Sequence, residues 1–211
     1  MRYLMIVIAL FSSWSCATKA PQVAKPQAAA GRSSIDTLQS LHVRLTVNPD
    51  DGVVTYFGWY DGQRNLLGPG GIVAALVGME PPELQGELKR AGDNEILFEG
   101  VDQNGLAWRK RYRLEDRVVR VTYQITSQRN EAFDAIIYSL ADLPDGAITG
   151  DNTDLYVRTP VARAHFHAAI RNPNFPGEQM NPSALRSDAV RLEPGQSMQF
   201  QMTWEIELPG G

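Results

Sequence analysis

Two histidines stand two residues apart in Arg163-Ala164-His165-Phe166-His167. In a strand, residues i and i+2 point to the same side. The spacing therefore sets two imidazoles on one face, where they can ligate a metal or carry a proton. A metal site needs a third ligand and usually a fourth, and no second cluster of ligating residues stands out in the sequence. The pair is therefore expected to be solvated or structurally bonded, with no metal and no cofactor. Glu205 and Glu207 lie opposite Trp204 and Ile206 on the last apolar-alternating stretch. A buried carboxylate there would serve as a base, whereas alternation places both on the polar side.

The stretch Leu106-Ala107-Trp108-Arg109-Lys110-Arg111-Tyr112-Arg113-Leu114 offers a binding surface instead. Arg109, Arg111 and Arg113 point one way, Trp108, Lys110 and Tyr112 the other. Three guanidiniums in a row suit the carboxylates or phosphates of an anionic glycan or lipid headgroup, and an open aromatic face would stack on sugar rings. The competing expectation is cross-strand pairing of the arginines with Glu95, Glu99 and similar residues. Trp59, Tyr60, Trp108 and Arg158 form a second candidate set for carbohydrate contact. Asp151-Asn152-Thr153-Asp154 is oxygen-rich but lacks the ligand series of a calcium loop and reads as a turn. The sequence contains no Gly-x-Ser-x-Gly, P-loop or dinucleotide fingerprint.

The elements that must carry these residues are strands. From Ile35 onward the dominant period is two. Leu41, Val43, Leu45 and Val47 alternate with polar residues, and Asn48-Pro49-Asp50-Asp51-Gly52 turns the chain. Val53–Tyr60 is β-branched and aromatic. Glu95–Gly100 leads into Asp102-Gln103-Asn104-Gly105, whose Asn-Gly suits the positive φ angles of a tight hairpin. Leu106–Leu114 and Val118–Ser127 follow, then Phe133–Leu140, Val190–Leu192 and a long strand, Gln196–Leu208. Gly71–Val77 and Pro182–Asp188 read as short helices. The expected fold is all-β: an antiparallel two-sheet sandwich over residues 35–209 with one or two short helices.

The chain has 211 residues, 43% hydrophobic and 21% charged, with a formal charge of −4 from 20 basic and 24 acidic residues. That size buries a full core without disulfides, and the acidic balance argues against a nucleic-acid partner. Residues 1–15 have a positive n-region, a short apolar run and small residues, the layout of an export signal. The one cysteine, Cys16, ends this segment. It resembles the lipidated cysteine of bacterial lipoproteins, although Trp14 and Ser13 depart from the usual box. Thiol catalysis in the body is excluded, because no cysteine remains there. Residues 16–34 are Ala, Pro, Gln and Ser with scattered charge, too poor in large apolar groups to fold, and read as a tether. Ala17 after the cysteine is compatible, by that resemblance, with delivery to the outer membrane, facing the periplasm.

Several blocks together resemble the β-supersandwich of galactose mutarotase-like proteins, with the closest likeness to the periplasmic domain of YidC-type membrane insertases. They are Asp93–Phe98, Asp102–Tyr112, Leu114-Glu115-Asp116 and Val118–Ile125, with Asp51–Val54, Asn65-Leu66-Leu67 and Leu192–Ser197 at the two ends. The insertase's transmembrane part has no counterpart here, so insertase activity is not implied. Mutarotase-type members use histidines and a glutamate around the sugar ring oxygen, but their usual Asn-His motif is absent. The resulting expectation is a cell-envelope lipoprotein whose non-enzymatic module binds a glycan or an envelope protein. Two alternatives stand beside it: an aldose 1-epimerase type enzyme with His165 or His167 and Glu205 as acid and base, and an envelope assembly or chaperone-like factor.

Overall fold

Alternation of inward and outward side chains builds Val43–Val47, Leu106–Glu115, Val118–Ser127, Asp154–Arg158, Arg163–Ala168 and Ser197–Glu207. The structure, a computed structural model, describes residues 36–76, 79, 82–143, 147–150, 154–159, 163–168 and 184–207. The chain divides into two units, Met1–Gly31 and Arg32–Gly211, and all described residues lie in the second. The expected signal, Cys16 and the tether fall outside them.

Six strands form one antiparallel sheet in the order β1 (Thr37–Gln39), β2 (Val43–Val47), β3 (Val54–Trp59), β4 (Ile72–Leu76), β10 (Ile137–Ala141), β14 (Ala184–Arg186). Eight form the second, in the order β11 (Ala147–Gly150), β12 (Asp154–Arg158), β13 (Arg163–Ala168), β16 (Ser197–Glu207), β8 (Val118–Ser127), β7 (Leu106–Glu115), β6 (Glu95–Val101), β5 (Gln85–Gly92). A small third sheet pairs β15 (Val190–Leu192) with β9 (Phe133–Ala135).

The core lies between the two large sheets. Phe57 from β3 meets Phe166 of β13 and Trp204 of β16 edge-on, with ring centroids 5.7 and 5.8 Å apart. Polar groups also reach from β7 to the turn before β3. The Tyr112 hydroxyl donates to the Gly52 carbonyl at 2.9 Å, and Lys110 Nζ donates to the Asp51 carbonyl at 3.0 Å. Gly52 takes φ +69°, and a Cβ there would stand 2.6 Å from the Phe98 ring. Only glycine meets both demands.

The Asn-Gly hairpin forms as expected, with Gly105 at φ +74°. Its Asp102 is buried and serves three donors. One carboxylate oxygen accepts the backbone N–H groups of Asn104 and Leu106, the other the Trp108 indole N–H, all at 2.9 Å.

The expected short helices are strands, and no helix occurs among the described residues. Gly71–Val77 holds β4, which pairs with β10 over five residues and alternates buried and half-buried. Its Ile-Val-Ala-Ala-Leu sequence hides that period, because the outward residues are also apolar. Pro182–Asp188 holds β14, buried along its whole length. Phe133–Leu140, expected as one strand, is split into β9 and β10, because the two pair in different sheets.

Candidate functional site

The outer face of the eight-stranded sheet carries the polar residues of interest. On β13, Ala164, Phe166 and Ala168 fill the core, so His165 and His167 point outward and are half-buried. Register then fixes their neighbours. His165 lies between Tyr156 on β12 and Glu205 on β16, and His167 lies between Asp154 on β12 and Thr203 on β16. The side chains converge: Asp154 Oδ1 is 3.0 Å from His165 Nε2 and 2.7 Å from His167 Nδ1. The Tyr156 ring lies flat on His165, with centroids 4.3 Å apart and 3° between planes. Tyr156 itself is 47% exposed, so the ring also presents area to solvent. Burial pushes the Asp154 carboxyl up, but the hydrogen bonds and charges of the two histidines outweigh it and hold the group below its usual value.

Beside this cluster is a shallow depression of about 280 Å³ whose lining includes Glu95, Arg111, Arg113, Arg120, His167, Gln201 and Thr203. A second depression, about 470 Å³, is lined in part by Gln85, Glu99, Gly100, Ala107, Arg109 and Gln124. Gly100 on β6 and Ala107 on β7, offset by one position in the register, contribute little bulk to its floor.

The arginines of β7 point outward as the alternation requires, and they meet carboxylates. Arg109 pairs with Glu99 at 3.2 Å, Arg111 with Glu95 at 3.3 Å and Arg113 with Glu115 at 3.2 Å. Arg120 on β8 also reaches Glu115, at 2.8 Å. Hydrogen bonding from Arg120 is the main cause that lowers the Glu115 pKa. Exposed pairs of this kind contribute little to stability, but they hold the guanidiniums in place.

The aromatic half of the expected binding surface is corrected. Trp108 is 2% exposed and spends its indole N–H on Asp102. With Tyr112, it faces the core, because the inner side of β7 is covered by the other sheet. Trp59 is also buried, at 7%. Neither can stack on a ligand, so Trp59, Tyr60, Trp108 and Arg158 do not form one contact set. Tyr60 is exposed, directly after β3. Arg158 is exposed on β12, on the same side as Asp154 and Tyr156.

Glu205 is on the polar side, as expected, on the strand beside His165. Arg117 Nη2 stands 3.9 Å from its carboxylate. The sequence places Asp154 only at the end of an oxygen-rich turn and does not single out Tyr156, whereas Asp154 opens β12, and a signal for this existed. Asp154-Leu155-Tyr156-Val157-Arg158 alternates, and the short interval to Arg163 implies a hairpin. Counting back from the pair Arg158↔Arg163 gives Asp154↔His167.

No family model matches the chain, and no curated protein is similar to it in sequence. Solved structures do match its fold. One is a protein of Escherichia coli K12 named as a candidate aldose 1-epimerase, 14% identical with a TM-score of 0.54, covering 81% of this chain and 98% of that one. Another is a galactose mutarotase-like protein from Lactobacillus casei ATCC 334, 8% identical with a TM-score of 0.55, covering 81% and 99%. A polysaccharide lyase matches at 12% identity and a TM-score of 0.51, over 79% of this chain and 32% of its own. The chain therefore has the galactose mutarotase-like β-sandwich fold. At these identities the likeness extends to the fold alone.

Proposed function

We propose that this chain is a non-enzymatic glycan-binding module of the bacterial cell envelope, held to the membrane by a lipid on Cys16. The observation that carries the binding half is the exposed Tyr156 ring, fixed against His165 on the strand next to the one that carries His167 to the edge of a depression rimmed by charged and amide side chains. A sugar ring stacks on such an aromatic while its hydroxyls bond to neighbouring polar groups. Three guanidiniums, Arg111, Arg113 and Arg120, meet two carboxylates, Glu95 and Glu115. The excess positive charge favours glycans bearing uronic acids or phosphates.

A glycan array on the full chain tests this. The reading expects acidic glycans to be retained, and Tyr156→Ala to weaken the best hit roughly tenfold, the worth of one ring contact. No glycan retained, or retention indifferent to Tyr156→Ala, would reject it. The register of His165 with Glu205 favours a second reading, a mutarotase-type acid–base pair. Polarimetry on the same preparation separates the two. Anomer interconversion accelerated by the chain and lost in Glu205→Gln selects the enzyme, and an unchanged rate leaves the binding module.

The address has its own test. Cys16→Ser should move the chain from the membrane fraction to the soluble one, and unchanged fractionation rejects the lipid anchor.

A further inference from the structure

We propose that Asp154, His165 and His167 form a site for a divalent transition metal of the zinc class, with one coordination position left open. The inference does not rest on the glycan reading, and its test uses no glycan.

The geometry supplies what the sequence did not, a third ligand. His165 and His167 share a strand face, and the β12–β13 register brings Asp154 directly opposite His167. One nitrogen from each imidazole and one carboxylate oxygen all lie within 4.8 Å of one another. Two of the three separations are already 3.0 and 2.7 Å. Ligands on a tetrahedral zinc ion with bonds of about 2.0–2.1 Å stand about 3.3 Å apart. Opening these two contacts, and setting the two ring nitrogens, which lie within 4.8 Å of each other, at the same spacing, admits the ion. The two imidazoles now direct their nitrogens at a single carboxylate oxygen, which is the convergence a metal requires. In the metal-bound form, each neutral ring carries its proton on the other nitrogen, and the coordinating lone pair replaces an N–H donor.

The donor set selects the metal. Two nitrogens and one carboxylate oxygen suit zinc and its late first-row neighbours. Calcium takes six to eight oxygens and magnesium an octahedral oxygen shell, neither of which three residues of this kind provide. The surroundings agree. The ligands are partly shielded, with side-chain exposures of 29% and 34% for the histidines and 22% for the aspartate. Tyr156 restrains the His165 ring from one side. Thr203 and Glu205, abreast of the two histidines on β16, supply outer oxygen atoms of the kind that orient ligating imidazoles. The fourth position faces outward, where a water or an anionic oxygen completes the shell.

The test is calorimetric titration of zinc chloride into the full chain, untagged and stripped with a chelator, near neutral pH. One zinc ion per chain should bind with a micromolar or tighter dissociation constant and raise the melting temperature. His167→Ala and Asp154→Asn should each weaken binding by more than roughly 100-fold, the upper end for loss of a mere outer-shell partner. Asp154→Asn preserves the side chain's shape, so it also answers for the fold through an unchanged far-ultraviolet spectrum. His42→Ala, on the remote histidine paired with Asp116 at 3.6 Å, should leave affinity unchanged. Three results would overturn the site: millimolar or absent zinc binding, binding that survives both ligand variants, or binding that depends on His42. A preference for calcium over zinc would also overturn it.

Discussion

Lys110→Met should stabilise the protein at neutral pH by about 2 kcal/mol, in the range found when buried charges give way to apolar groups of similar shape. Lys110 lies between Trp108 and Tyr112 on β7 and points inward by strict alternation, so the fold carries an ammonium group into the core. It is 2% exposed. One carbonyl, that of Asp51, accepts from it at 3.0 Å, and the Phe98 ring stands 5.5 Å away. Burial pushes its pKa down to about 8, against a smaller upward pull from the Asp51 charge. An exposed lysine titrates near 10.4, and each unit of difference is worth about 1.4 kcal/mol.

The sign of the linkage follows. Below about pH 8 both states hold the proton and the native state bears the full cost. From there to about pH 10 the unfolded chain keeps a proton that the native chain has lost, so stability rises with pH. Above about pH 10 the unfolded tyrosines ionise. Buried Tyr112 and Tyr123 resist: desolvation raises the first well above its usual value and the second to about 12. Stability then falls. Urea unfolding should therefore show a maximum near pH 10 in the native chain. In Lys110→Met, the rise from about pH 8 should vanish while the alkaline fall remains. A rise that persists in the variant would assign it to another group and sink the argument.

This lysine also shows what one strand's alternation does and does not disclose. The period of β7 divides its side chains correctly into two faces, and the same rule on β13 puts His165 and His167 together. Which face is buried is a tertiary matter. Arg109, Arg111 and Arg113 outnumber the lysine, so the aromatic side must be the core side, and Trp108 and Tyr112 are lost as ligand contacts. Trp59 is lost in the same way. β4 and β14 show the converse failure. Where apolar residues occupy both faces, as in Ile72–Leu76, no period remains to be read, and pairing with β10 decides the conformation. The site was half legible for the same reason. Spacing along one strand gave the two histidines, whereas Asp154 and Tyr156 enter only through the register of a neighbouring strand. The resemblance to mutarotase-like sandwiches rested on turns and strand order, which survive at 14% and 8% identity.

Trp204→Ala should cost about 3–5 kcal/mol, the usual range for deleting a fully buried large aromatic, whereas Trp204→Phe should cost much less. Trp204 is 0% exposed and lies where the sheets meet. Its ring stands 5.8 Å from Phe57 of the six-stranded sheet, 6.0 Å from Phe166 and 6.2 Å from Tyr112. Alanine would remove all three contacts and leave a cavity between layers that rigid strands cannot close. Phenylalanine keeps a ring in the cluster. It also deletes the indole N–H, which has no hydrogen-bond partner among the described residues, and so relieves the cost of a buried donor left unpaired. Chemical denaturation of both variants checks the ranking, and equal losses for Phe and Ala would refute it. The consequence reaches the surface. Thr203 and Glu205 flank Trp204 on β16 and stand beside His167 and His165. The ladders to β8 and β13 keep the register of β16, but a cavity behind Trp204 lets the strand shift and move its outward side chains. Trp204→Ala should therefore weaken zinc and glycan binding together, and Trp204→Phe should spare both. Binding that survives in a folded Trp204→Ala protein would show that the outer face is positioned by β12 and β13 alone.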